Sequence, residues 1–200
     1  MIRKPIILFL LAIAVVISAC SNSGNRFTDQ EADLILSGSP TETMRLFTID
    51  NLDDSLLLRS ASEVVSPEMF DTDTYRRLVS RLLATVNDPA QPGVGIAAPQ
   101  VGILRRVIAV QRYDKDGKPF EIYVNPEILS YSDSVKAGPE GCLSVPGGRG
   151  QVTRPTAITL RYNDGETFEP REEAVNGFTA VIFQHEIDHL SGRLYIDYLP

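Results

Sequence analysis

The sequence contains few residues that bind transition metals and few positive charges. Its 200 residues include two histidines and two cysteines, and 19 basic side chains stand against 26 acidic ones. Because acidic residues are in excess, binding of nucleic acid through a basic patch is excluded. The 43% hydrophobic content suits one globular domain with an adequate core. Any metal site must be built around these few histidines and cysteines.

Long apolar runs are also lacking. The longest, residues 6–17, has twelve residues, which is too short to span a bilayer comfortably, and it follows Arg3 and Lys4. This pattern is typical of a signal peptide. The small residues before Cys20 resemble the lipobox of bacterial lipoproteins, in which the chain is cut before the cysteine and the cysteine carries a lipid. We therefore predict a signal peptide over 1–19 and a lipid on Cys20.

Such a protein would be anchored in a membrane and face outside the cytoplasm. An ordinary signal peptide and an uncleaved anchor are the alternatives, and a chain with an unprocessed leader would stay in the cytoplasm. With Cys20 acylated, Cys142 is the one thiol left, so no intramolecular disulfide can form. An unpaired thiol in an exported protein is usually buried or functional, and metal binding is such a function.

Both histidines lie in one pentapeptide, residues 185–189, which reads HEIDH. Residues four apart lie on the same face of an α-helix, so His185 and His189 can bind one metal ion with Glu186 beside it. This arrangement is typical of metal-dependent hydrolases. Two surface histidines are the alternative, but they would not require this spacing around a glutamate.

A catalytic metal site usually takes three protein ligands and leaves one position open. Residues 191–200 contain no histidine or glutamate, so we expect the third ligand to lie upstream. Cys142 lies in a segment rich in glycine and proline, residues 138–148, which we interpret as a shaped loop. Its thiolate would complete a Cys/His/His set.

The remaining sequence predicts a mixture of helices and strands. Residues 20–57 are interpreted as a tether or N-terminal extension, with one amphipathic segment around 44–52. Apolar residues at helical spacing predict a helix over 71–86, and a second, largely buried helix is predicted over 178–190 with Gly192 as its stop. Short β-like runs predict strands over 105–111, 120–125, 128–132 and 157–162, with hairpin turns at 114–117 and 163–165.

Three segments together resemble the signature motifs of peptide deformylases, the metal-dependent enzymes that remove formyl groups from N-formylmethionyl peptides. They are residues 93–100 (GVGIAAPQ), 140–144 (EGCLS) and 184–190 (QHEIDHL). The first segment alone would be weak evidence for this family, because glycine-rich turns are common. The resemblance covers 58–200, which we predict to be the catalytic domain. It implies an α+β fold with antiparallel β-sheets around a buried metal-binding helix.

The resemblance also implies roles for individual residues. Cys142, His185 and His189 are the expected metal ligands, and Glu186 is the expected general base and acid. Gln100, through its amide, and Leu143, through its backbone N–H, are expected to stabilise the oxyanion. Residues that match substrate-binding positions of the family are Val94, Gly95, Gly141, Arg149, Phe178 and Val181. For Phe178 and Val181 core packing is an equally good interpretation, and Arg149 could be a solvated loop charge.

The expected cofactor is one divalent metal ion. The resemblance implies Fe(2+), whereas a Cys/His/His set and an exported location are also compatible with Zn(2+) or Ni(2+). The expected partners are an N-formylmethionyl peptide or protein and, through Cys20, a membrane. Two alternatives stay open: a related metal-dependent amidase or aminopeptidase with another acyl specificity, and a catalytically idle surface lipoprotein stabilised by its metal.

Overall fold

The computed structural model of the protein describes residues 23–200, so the predicted signal peptide and the predicted lipid attachment at Cys20 lie outside the described residues. The helices are α1 (Asp29–Leu36), α2 (Leu52–Leu58), α3 (Pro67–Phe70), α4 (Asp73–Val86) and α5 (Gly177–His189). The strands are β1 (Gly95–Ala97), β2 (Val107–Gln111), β3 (Phe120–Tyr131), β4 (Val135–Cys142), β5 (Val145–Pro155), β6 (Ala157–Asp164) and β7 (Pro170–Asn176). Short 3-10 helices are Ser23–Asn25, Ala98–Val101 and Tyr195–Tyr198.

Helix α4 confirms the first predicted helix. Its N-cap is Thr72, whose side-chain oxygen accepts a hydrogen bond from the backbone N–H of Tyr75 at 3.2 Å. The apolar stripe predicted from the sequence is buried at Tyr75, Leu78, Leu82 and Val86. The helix therefore begins where a cap is available and packs through one face, as its periodicity indicates.

Five strands form an antiparallel sheet in the order β1-β2-β3-β6-β7. Alternate residues of β2 pack on opposite sides of this sheet: Val107 and Ala109 belong to the core on the α4 side, whereas Ile108 and Val110 belong to the core on the α5 side. The sheet is thus covered by a helix on each face at β2. The strands predicted over 120–125 and 128–132 are one strand, β3, whose register is interrupted near Pro126.

Strands β4 and β5 form a separate two-stranded sheet, which corrects the interpretation of residues 138–148 as a loop. Glu140 pairs with Gly150, Gly141 pairs with Arg149, and the register shifts before Cys142 pairs with Val145. Cys142 therefore lies at the irregular end of a hairpin, beside the tight connection at 143–144. This hairpin projects the thiol toward α5.

Helix α5 confirms the second predicted helix, and it packs against β1, β2, β5 and β7. It begins at Gly177, whose φ of 65° lies in the left-handed region. Gly192 ends it with a φ of 70°, and its N–H donates to the carbonyl of His189 at 3.1 Å. A largely buried helix between the two sheets therefore carries both histidines.

The described part of the predicted tether or N-terminal extension is folded. Residues 23–58 contain a 3-10 helix, α1 and α2, and Phe27, Ile35 and Met44 are buried in the core on the α4 side. Arg81 on α4 fixes this segment, because its buried guanidinium donates to backbone carbonyls of residues 34, 35, 42 and 43. Within residues 23–200, none of the helices combines the length and the apolar character needed to cross a membrane.

Candidate metal centre and active site

Cys142, His185 and His189 form one cluster where β4 ends against α5. Their ligand atoms all lie within 4.8 Å of one another. The Sγ atom of Cys142 lies 3.3 Å from Nε2 of His189, and the rings of the two histidines are 5.1 Å apart between centroids. The i and i+4 spacing on α5 thus places both imidazoles on the side that faces the thiol, as the sequence predicts.

The two imidazoles are oriented for coordination. Nδ1 of His185 lies 2.9 Å from the Glu140 carboxylate, which leaves Nε2 for the centre of the cluster. His189 turns Nε2 toward the thiol, while its Nδ1 is buried with no hydrogen-bond partner among residues 23–200. One thiolate and two imidazole nitrogens that converge in this way fit a divalent metal of the zinc or ferrous type.

The surroundings of the two histidines shift their pKa values in opposite directions. Although burial opposes the charged form, hydrogen bonds to Cys142 and Glu140 raise the pKa of His185 to about 10. Burial, followed by the charge on His185, lowers the pKa of His189 well below its ordinary value. A metal that binds at this cluster takes neutral imidazole and thiolate as ligands, so its binding is coupled to the release of protons.

A charged network behind His185 holds its orientation. Arg154 on β5 binds the Glu140 carboxylate through two hydrogen bonds of 2.8 and 3.0 Å and binds Asp188 at 2.5 Å. Although burial opposes ionisation, hydrogen bonds from His185 and Arg154 lower the pKa of Glu140 to about 2. Sequence reasoning missed Arg154 and gave Glu140 no role. The signal available was an acidic residue two positions before the ligand cysteine.

Glu186 lies beside the cluster in a dry environment. Its side chain is 4% exposed, and Oε2 has no hydrogen-bond partner within the described part of the chain. Burial raises the pKa of this carboxyl to about 7, even though the charge on His185 acts in the opposite direction. A carboxyl with such a pKa can accept and return a proton near neutral pH.

Gln100 lies in the 3-10 helix that follows β1, and its side chain contacts Cys142. Its Oε1 accepts from the backbone N–H of Ala97 at 2.9 Å, and its Nε2 donates to Cys142 Sγ at 3.4 Å and to Ser144 Oγ at 3.3 Å. The amide N–H groups of Gln100 therefore face Cys142 and the turn that follows it. Leu143 lies in the turn between β4 and β5, on the wall of the same pocket.

A pocket of about 530 Å³ opens onto this site. Its wall includes all the residues that the sequence predicts for substrate binding: Val94, Gly95, Gly141, Arg149, Phe178 and Val181. Phe178 is 53% exposed, so a role in core packing is excluded for it. Outside the pocket wall, Tyr113 packs edge-on against Phe178 with 5.1 Å between ring centroids. The pocket thus has an apolar rim and a polar, metal-binding base.

A family model described as polypeptide deformylase matches residues 46–200, which is more than half of the chain. The chain belongs to the peptide deformylase family. Its similarity to the peptide deformylase of Caulobacter vibrioides is 43% identity over 157 residues, covering 78% of this chain and 87% of that protein. The peptide deformylase of Leptospira biflexa is 38% identical over 150 residues, covering 72% and 82% of the two chains.

Solved deformylase structures resemble this fold. The class I type b peptide deformylase of Acinetobacter baumannii, crystallised with bound Met-Ala-Ser, gives a TM-score of 0.70 at 34% identity and covers 80% of this chain and 99% of that chain. The Synechococcus elongatus enzyme in complex with actinonin gives a TM-score of 0.68 at 30% identity and covers 78% of this chain and 79% of that chain. These findings confirm the predicted α+β deformylase fold and the prediction of a metal-dependent hydrolase.

Proposed function

We propose that this deformylase removes the N-formyl group from formylmethionyl peptides or proteins at a metal site built from Cys142, His185 and His189. The observation that carries the proposal is the Glu186 carboxyl, which is 4% exposed, has no hydrogen-bond partner at Oε2 among residues 23–200, and shares the pocket wall with Cys142 and His185. A site that only stabilised the fold would need no such carboxyl and is usually closed by a fourth ligand.

Each residue around the site has a distinct task. A divalent ion, when bound, supplies Lewis acidity to the formyl oxygen and to water. Glu186 accepts a proton from the attacking water and passes it to the amine nitrogen as the C–N bond breaks, so that formate and a free N-terminus result. Gln100 and the backbone N–H of Leu143 donate hydrogen bonds to the oxygen on which negative charge develops, and loss of one such donor costs about 3 kcal/mol.

The pocket supports a methionine side chain at the first position of the substrate. Val94, Phe178 and Val181 give its wall an apolar part next to the metal donors. Gly95 and Gly141 lie on the pocket wall, where their backbone groups can meet an extended peptide. The Acinetobacter baumannii structure contains Met-Ala-Ser, a peptide with this first residue. Arg149 is exposed on the pocket wall, where it can meet the distal part of the peptide.

The proposed metal is Fe(2+), with Zn(2+) or Ni(2+) as substitutes. Ferrous iron beside a thiolate is easily oxidised, and the proposed location outside the cytoplasm favours the substitutes. Elemental analysis of the protein isolated from its own membrane will identify the ion.

We also propose that Cys20 carries a lipid and that the enzyme acts on exported formyl peptides or proteins. Support comes from the basic start, the twelve-residue apolar run and the small residues before Cys20. The mass and membrane fractionation of the protein should change when lipoprotein signal processing is blocked. An unchanged mass and fractionation would refute the lipid.

The reaction is tested with the full chain in detergent, loaded separately with Fe(II), Ni(II) or Zn(II). Release of formate from formyl-Met-Ala-Ser is expected, with little or no acetate from the acetylated peptide. Glu186→Ala should abolish turnover with the metal still bound, whereas Glu127→Ala, which removes an exposed carboxylate paired with Arg161, should not change it. No formate with any of the three metals would refute the proposal.

A further inference from the structure

Gly95 on β1 lies directly against the side chain of Glu186 on α5. A Cβ atom added at Gly95 would lie 2.5 Å from Oε1 of Glu186 and 2.9 Å from both its Cδ and its Cγ. These distances are shorter than normal contacts between carbon and oxygen or carbon and carbon atoms. Three atoms of the glutamate therefore occupy the space that any other residue at position 95 would need.

The backbone itself does not require glycine at this position. Among the described residues, the glycines with φ in the left-handed region are Gly102, Gly117, Gly147, Gly177 and Gly192. Gly95 is in an ordinary strand and pairs with Val110 of β2. Alanine could adopt this backbone, so contact with Glu186 is what excludes it.

Glu186 can yield only toward the pocket. Its side chain is almost fully buried, and α5 packs against β1 along this contact. The space beside it is the pocket, whose wall includes Glu186 together with Gln100 and Cys142. A methyl group at position 95 would therefore push the carboxylate into the pocket and away from its present place beside the metal donors.

We propose that Gly95 is a positioning residue for Glu186: the missing side chain at position 95 fixes where the proton-transferring carboxylate lies. This role rests on the proposed function and adds to any contact of the Gly95 backbone with substrate. The glycine of the first motif and the glutamate of the third are thus coupled by direct contact.

The test is a double-mutant cycle of Gly95→Ala and Glu186→Ala in the full, metal-loaded chain. Gly95→Ala should lower kcat by roughly 100-fold, as expected for a misplacement of about 1 Å, with KM changed less than about twofold and the bound metal unchanged. It should also lower Tm by roughly 2–12 °C through overpacking. In the Glu186→Ala background the same change should not lower Tm, because the methyl group enters the space that the glutamate leaves.

Gly138→Ala is the matched control, because a Cβ at this strand position meets nothing within 4 Å. It should leave kcat unchanged. An equal loss of Tm in both backgrounds, or a rise in KM with kcat unchanged, would overturn the positioning role. The Tm measurements need no substrate, so they test the role of Gly95 independently of the reaction. Additive Tm changes would refute the role of Gly95. A wild-type protein that releases no formate would instead refute the proposed function.

Discussion

Replacing Arg154 by methionine should weaken both the fold and the retention of the metal. The Arg154 and Glu140 side chains are each 6% exposed, so the substitution leaves a buried carboxylate with His185 as its remaining partner. Breaking a buried ion pair by removing one partner costs about 3–5 kcal/mol. For a chain of this size that corresponds to a fall in Tm of roughly 6–20 °C. Because Glu140 orients His185, metal affinity should also fall by roughly 10–100-fold.

The assay combines thermal unfolding with titration by a chelator, followed by elemental analysis of the metal that remains bound. Arg161→Met is the matched control, since Arg161 pairs with Glu127 at 2.7 Å but the two side chains are 53% and 58% exposed. An exposed pair of this kind contributes about 0–1 kcal/mol. If Arg154→Met lost no more Tm than this control, or retained metal as the wild type does, the network would not support the metal centre.

Three other perturbations test separate parts of the structure. Tyr113→Ala, which removes the edge-on contact with Phe178, should raise KM for formyl-Met peptides by roughly 2–10-fold with kcat unchanged in a formate assay; an unchanged KM would show that the pair does not support the pocket. Hydrogen bonds from Arg112 lower the pKa of Asp114 from 3.8 to about 2, so its stabilising effect is complete above pH 3.8 and is lost as pH falls through about 2. As pH falls between these values, the free energy of unfolding measured in urea should therefore decrease less for Asp114→Asn than for the wild type. An equal decrease in the two proteins would contradict the pairing of Asp114 with Arg112. Arg81→Met should lower the free energy of unfolding by about 3 kcal/mol or more and speed proteolysis within residues 23–45, whereas unchanged cleavage would show that Arg81 does not hold this segment.

Helices α4 and α5 could be predicted because their determinants are local. Thr72 caps α4, the apolar residues of α4 recur at the helical period, and Gly192 follows the end of α5. The i and i+4 histidines belong to the same class of local signal. The two histidines on α5 could therefore be predicted as candidate metal ligands without any knowledge of tertiary structure.

The β4–β5 hairpin could not be predicted, because its glycines are required by contacts with residues that are distant in the sequence. Gly150 lies in β5 where a Cβ would come within 2.4–3.1 Å of the Leu199 side chain, and a Cβ at Gly148 would lie 2.6 Å from the Tyr195 hydroxyl. Glycine is needed there to admit the C-terminal segment, although in the sequence it resembles a loop residue. The role of Arg154 could not be predicted for the same reason, because its contact with Glu140 depends on the register of this hairpin.

The folded N-terminal segment changes what a lipid on Cys20 would mean. Phe27 is buried in the core on the α4 side, and seven residues of fully extended chain reach at most about 25 Å. A tether over 20–57 would instead have allowed more than about 100 Å. With the proposed lipid, Phe27 would therefore stay within about 25 Å of the bilayer surface, and the domain that carries the pocket would be held there. Formylated N-termini that emerge at or near this surface would be accessible, and the distance is set by the packing of residues 23–58 rather than by linker length.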